Sequence, residues 1–206
     1  MLTASGVGYR LPTGRVLFED VTLQLVPGEA VAVEGPSGTG KSTLLAVIGG
    51  VLPATHGQIG IDTDRPAPFA WVLQTLNSLG ARTVLANAAL LARLDGMPSK
   101  QASERARANL DLVGIGDLAE AKARQLSGGE LQRLAVARAL TSTRPILLVD
   151  EPTNQLDRHN ARRVMQALVD SAAIQHRCVL IVTHDHDALP DTATVLRLAE
   201  DGLHAS

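Results

Sequence analysis

The sequence predicts an α/β fold with a mainly parallel sheet, and three observations point to it. Two uninterrupted apolar runs, residues 146–149 (ILLV) and 178–182 (CVLIV), are short and rich in Leu, Val and Ile, as in strands buried on both faces. Segments of helical periodicity alternate with such runs, the order that lays helices over both faces of a parallel sheet. A glycine-rich stretch, residues 35–40, also separates an apolar strand from a helix near the N-terminus.

The elements follow in order. Residues 21–25 alternate apolar and polar, and residues 30–33 form an apolar run ending at the glycine cluster, so both read as strands before a helix over residues 41–48. Residues 53–68 are rich in Gly, Pro, Thr and Asp around a strand-like patch at 58–61, which predicts a sheet edge and a loop. From 83 to 113 the pattern is helical: Ser99 is the expected N-cap, and Ala102, Ala106, Leu110 and Val113 recur at helical spacing before Gly114 and Gly116 end the run. A helix from Ser127 through Leu140 and another over residues 159–173 separate the remaining strands. Neither a repeat nor a linker divides the chain, so residues 1–206 are expected to be one domain with a helical subdomain at about 76–126.

Composition removes several function classes. Nineteen basic and twenty-one acidic side chains leave a formal charge of −2, which gives no electrostatic footprint for nucleic acid. The single cysteine, Cys178, cannot form an internal disulfide and reads as a small buried hydrophobe. Every apolar segment is broken within about ten residues, too short to span a bilayer. The N-terminus lacks the charged start and apolar stretch of a secretion signal, so the expected location is the cytoplasm.

The chemistry starts at GPSGTGKS: Gly35, Pro36, Ser37, Gly38, Thr39, Gly40, Lys41 and Ser42. A glycine, four residues, then glycine, lysine and a hydroxyl residue is the spacing of a phosphate-binding loop. Glycines let backbone N–H groups turn onto phosphate oxygens, the next helix presents its positive end, Lys41 adds a mobile charge, and Ser42 can hold Mg²⁺. Thr43 follows on the same turn and joins the nucleotide-contacting set. Residues 146–149 then deliver Asp150 and Glu151 to the C-terminal edge of a strand, where ligands gather in open parallel sheets. Asp150 suits the metal's water shell and Glu151 suits a general base, although acids here can also compensate a helix N-terminus.

At LSGGE, Ser127 and Glu130 are spaced as a capping box, while Ser127, Gly128 and Gly129 leave backbone donors unobstructed at a helix start. The stretch therefore reads as a helix cap, as an anion-binding terminus, or as both.

The ordered set GPSGTGKS, Gln74, LSGGELQR, ILLVDEPTNQLD and His184 resembles the ATPase subunits of ABC transporters, over a span from Tyr9 to about Gly202. The resemblance implies an ABC-type P-loop NTPase core with a small antiparallel β portion on its N-terminal side and the helical subdomain. It implies ATP and Mg²⁺ as ligands, a second ATPase subunit as homodimer or heterodimer partner, and an integral-membrane permease with the protein peripheral on the cytoplasmic face. Residue by residue, Ser127, Gly128 and Gly129 would contact ATP held by the partner subunit. Gln74 would link the Mg²⁺ and water site to the permease contact, and Asp157 would lie at the dimer interface. His184 would reach the terminal phosphate and Tyr9 would stack on adenine. Other readings stay open: Tyr9 as a core or edge residue, Gln74 as an exposed polar residue, Asp157 as a helix N-cap.

Within the family, TNQLD and VTHDHD look most like the lipoprotein-release and macrolide-export group. The chain departs from the family between Gly57 and Gln74, where it is shorter, and at Ala86, where an acid is common; both fall where the family docks its permease. A non-transport ABC ATPase would usually need coiled coils or a second cassette, and a phosphate-loop kinase would need neither LSGGE nor His184. A regulatory ATP sensor remains the alternative.

Overall fold

The computed structural model describes residues 1–75 and 77–205. Leu76, which opens the expected helical subdomain, and Ser206, which ends the expected domain, lie outside the described residues. The chain runs through β1 (Leu2–Arg10), β2 (Val16–Leu25), β3 (Ala30–Glu34), α1 (Lys41–Ile48), β4 (His56–Ile61) and β5 (Phe69–Val72). Three helices follow: α2 (Val84–Ala88), α3 (Leu90–Leu94) and α4 (Ser99–Leu112). The second half alternates: α5 (Gly128–Thr141), β6 (Ile146–Asp150), α6 (Arg158–Gln175), β7 (Cys178–Thr183), β8 (Thr194–Ala199) and β9 (Gly202–Ala205).

The strands form a three-stranded antiparallel sheet, β2-β1-β4, and a six-stranded sheet, β5-β6-β7-β3-β8-β9, parallel except for β9. Period-two alternation sorts the side chains of the larger sheet. Leu147, Val149, Val179 and Ile181 join the cluster under α2 to α6, while Ile146, Leu148, Cys178, Leu180 and Val182 face α1 and the smaller sheet. Each fully buried Leu, Ile or Val contributes about 1.5–3 kcal/mol. Exposed ion pairs such as Arg107–Glu120 contribute about 1 kcal/mol at most. The two apolar clusters therefore hold the layers together.

The helical stretch differs from its sequence reading. The periodic run at 83–113 is three helices: α2 gives way to α3 at Ala89, and α3 is parted from α4 because Gly96 takes φ 91° and Pro98 follows it, and both end regular helix. Pro98, not Ser99, is the N-cap of α4, and Ser99 is its first helical residue. Thr83 caps α2 instead, accepting a hydrogen bond from Ala86 N. Cys178 is 1% exposed, its thiol pushed up by burial, in line with the structural reading of this residue.

Candidate active site

The parallel strands place the loops of interest along one edge. β3, β6 and β7 lie side by side, with Glu34 opposite Thr183 and Asp150 opposite Val182. The loop after β3 and the residues after β6 and β7 thus emerge together at the C-terminal edge. Sequence positions more than a hundred residues apart become neighbours through this register alone.

The glycine loop runs into α1 through Gly40, which caps the helix in the left-handed region with φ 95°. A Cβ there would lie 3.1 Å from Leu17 Cβ and 3.2 Å from Phe18 Cδ1, so both conformation and space demand glycine. Lys41 is 6% exposed, and its ammonium donates to Gly35 O at 2.6 Å and Pro36 O at 3.1 Å. Thr39 Oγ1 donates to Pro36 O, while Pro36, Ser37 and Gly38 stand exposed at the tip. Phe18, packed under Gly40, also stacks on the Tyr9 ring at 6.3 Å, which brings half-buried Tyr9 to the flank of the loop.

Ser42 Oγ donates to Asp150 Oδ1 at 2.9 Å. Burial, and secondarily the neighbouring Glu151 charge, pushes the Asp150 carboxyl up, against the Ser42 hydrogen bond and the Lys41 charge. A carboxylate destabilised by desolvation beside a hydroxyl is a set of hard oxygen donors that gains from a divalent cation, and Mg²⁺ fits it. Glu151 is 7% exposed and sits at φ 47°, rare for a non-glycine residue. Its surroundings hold it there: Glu151 N donates to Val182 O, Oε1 lies 3.7 Å from Lys41 Nζ, and Oε2 lies 2.8 Å from His184 Nδ1. The His184 backbone N–H also donates to Oε2 at 3.3 Å. Strain concentrated in a buried, multiply bonded acid at a sheet edge is characteristic of functional sites.

Lys41, Ser42, Asp150, Glu151 and His184 therefore form one cluster, joined by the Ser42–Asp150 and Glu151–His184 hydrogen bonds and the Lys41–Glu151 ion pair. Gln74 is exposed in a bend two residues beyond Val72, the end of β5, which pairs with Val149. Ser127, Gly128, Gly129 and Asp157 stand at the starts of two helices, outside this cluster. Ser127 caps α5 and forms the reciprocal capping box with Glu130, and Asp157 caps α6 by accepting from Asn160 N at 2.9 Å. Among the described residues, the hydrogen bonds of Ser127 and Asp157 do not reach the Lys41 cluster.

Two residues escaped the sequence reading. Gln155 closes on the α5 start: a Cβ on Gly128 would lie 2.1 Å from Gln155 Oε1, and one on Gly129 would lie 2.8 Å from Gln155 O. Backbone packing within the chain thus requires glycine at Gly129, whereas at Gly128 the Gln155 side chain would have to move, a difference that no motif announces. His186, given no role from sequence, places Nδ1 2.8 Å from Glu34 Oε2 beside the phosphate-type loop.

The profile of the family described as ABC transporter matches residues 18–154, a span running from Phe18 under the loop to just past Glu151. The chain belongs to the ABC transporter ATP-binding family. It is 34% identical to the lipoprotein-releasing system ATP-binding protein LolD of Pseudomonas fluorescens, over 94% of this chain and 91% of that one. It is 38% identical to the macrolide export ATP-binding/permease protein MacB of Aggregatibacter actinomycetemcomitans, over 82% of this chain but 28% of that one. The chain thus spans less than a third of that relative's length. Its fold is similar to the dimeric, post-hydrolysis structure of the ATP-binding cassette MJ0796 bound to ADP and Pi, with a TM-score of 0.83, 29% identity, and coverage of 99% of this chain and 97% of that one. This cassette is an ATP-binding ABC ATPase, and its fold class and family agree with those expected from the motifs.

Proposed function

We propose that this cassette hydrolyses ATP at the Lys41–Glu151 cluster and transmits the resulting closing and opening of a dimer to a separate membrane permease. The observation that carries this reading is Glu151, buried yet held between the Lys41 ammonium and a hydrogen bond with the His184 ring, at the edge where Ser42 and Asp150 also converge. Lys41 and the N–H groups of the glycine loop bind and orient the phosphates, and Tyr9 stacks on the adenine. Ser42, Asp150 and Gln74 would hold Mg²⁺, which would supply charge neutralisation at the terminal phosphates. Glu151 accepts the proton of the attacking water, while His184 orients Glu151 and reaches the terminal phosphate. Barrier lowering of this kind comes chiefly from positioning and preorganised positive charge.

Ser127, Gly128, Gly129 and Asp157 act on the partner. A capped helix start with bare backbone donors completes an anion site, and in this reading the anion is ATP bound to the second subunit. The dimeric relative MJ0796 and the permease-linked names of the LolD and MacB relatives support this arrangement. A peripheral position on the cytoplasmic face fits a chain in which no helix of the described residues is long and apolar enough to cross a membrane.

The test is Glu151→Gln, which keeps the hydrogen bonds' geometry and removes the base. ATP binding should persist, turnover should fall at least about 100-fold, and an ATP-bound dimer should accumulate in light scattering. Unchanged turnover removes Glu151 from its role.

A further inference from the structure

The opposite edge of the parallel sheet carries a second cluster of charge. Pro145, just before β6, and Arg177, just before β7, meet where Cys178 N donates to Pro145 O. A five-residue strand such as β6 spans about 17 Å, so this point lies well away from the nucleotide edge. A cavity of about 570 Å³ opens here, lined by Arg65, Arg105, Thr143, Gln175, His176 and Arg177 among others. Among the described residues, no aspartate or glutamate lines it.

Arg177 is 2% exposed, the largest side chain buried to this degree. Its guanidinium donates to Ala139 O, Leu140 O and Gln175 Oε1, yet its Nε finds no partner among the described residues. Arg105 donates to the same Gln175 oxygen and to Leu140 O and Ser142 O. Two guanidiniums thus crowd one amide oxygen. Burial and the Arg105 charge together lower Arg177 to about 10. Arg65 adds a third cation, held only by Thr143 Oγ1. Arg144 does not count, because Asp95 neutralises it at 2.9 Å.

The helix ends supply part of the counter-charge. α5 and α6 both finish here, and each C-terminus carries about −0.5 elementary charge. Against three guanidiniums this leaves an excess of about two positive charges in a walled, half-desolvated space. We propose that the cavity binds a divalent oxyanion of the phosphate class, either inorganic phosphate or the phosphoryl group of a small phosphorylated molecule. The forked donors of Arg105, with the Arg177 guanidinium in the cavity wall behind it, match its oxygens. Nothing in the site at the opposite edge uses these residues.

The test compares the full chain with Arg105→Gln and Arg65→Gln, both at partly exposed positions, with the nucleotide site saturated by a nonhydrolysable ATP analogue and Mg²⁺. Thermal unfolding is followed in chloride, in inorganic phosphate and in glucose 6-phosphate. In chloride, Arg105→Gln should unfold at the same or a higher temperature, because it relieves repulsion. In phosphate the wild type should gain several degrees, and both variants should bind the anion about tenfold more weakly. A gain with phosphate alone assigns the free ion; a gain with both anions assigns the phosphoryl group in general. The proposal is overturned if neither anion shifts the wild type, or if the variants shift as much as the wild type. It is equally overturned if Arg105→Gln loses the same stability in every buffer, which would make the arginine only a cap for α5.

Discussion

Gly38 and Gly40 stand two residues apart and both hold left-handed backbone, at φ 85° and 95°, but only Gly40 touches its surroundings. A Cβ on Gly38 meets nothing within 4 Å, whereas one on Gly40 presses on Leu17 and Phe18. Gly38→Ala should therefore cost only the conformational penalty of about 1–2 kcal/mol. Gly40→Ala should cost more, by about 1–3 kcal/mol of overpacking, and should disturb Tyr9 through its Phe18 partner. Urea unfolding of the two variants checks this; equal losses would mean that Leu17 and Phe18 yield freely. The motif spacing already marked both glycines as loop residues. Their different burdens were not legible, because Leu17 and Phe18 belong to another sheet and reach the loop only through folding.

At the scale of elements, α5 and α6 begin with side-chain caps on the surface that the nucleotide of a partner would meet. Backbone and side-chain hydrogen bonds from Ser127 hold the Glu130 carboxyl below its ordinary range, with the Arg133 charge adding to them. A carboxyl depressed in the folded state contributes stability that is full above its ordinary value of 4.5 and lost as pH falls through the folded value. Glu130→Gln keeps a capping-box side chain but removes the titration. The stability advantage of wild type over Glu130→Gln should be constant near neutrality and shrink as the pH falls below about 4.5, measured by urea unfolding across a pH series. A difference that persists undiminished at low pH would show that Glu130 acts without its charge. The capping box was readable from Ser127 and Glu130 because its partners are three residues apart. The division of residues 83–113 into three helices was misread, since apolar periodicity continues past Gly96 and Pro98 even where the backbone cannot. β8 and β9 went unread for another reason: they are short, half-exposed strands at one end of the sheet, with β9 at its edge, whose pairing with β3 and with each other replaces a local signal.

At the scale of the molecule, the Lys41 cluster and the Ser127 helix start share no hydrogen bond among the described residues, and the proposed chemistry joins them through a partner. Mixed dimers test this. With Ser127→Arg in one subunit and Lys41→Ala in the other, both lesions fall in one shared site and the second site stays whole, so turnover should survive. With both changes in one subunit opposite a wild-type partner, each site carries a lesion and turnover should vanish; the reverse pattern would place both halves of a site within one chain. The sequence by itself determined the family, the phosphate-type loop, the acidic pair after β6 and the caps at Ser127 and Asp157, because each is a local pattern whose spacing states its geometry. Only the tertiary structure decided that Glu151 would be held at positive φ between Lys41 and His184, that Gln155 would fill the space above Gly128, and that Arg105 and Arg177 would converge on one cavity. Those outcomes depend on strand register and helix ends that bring distant residues together, and no spacing along the chain encodes such a meeting.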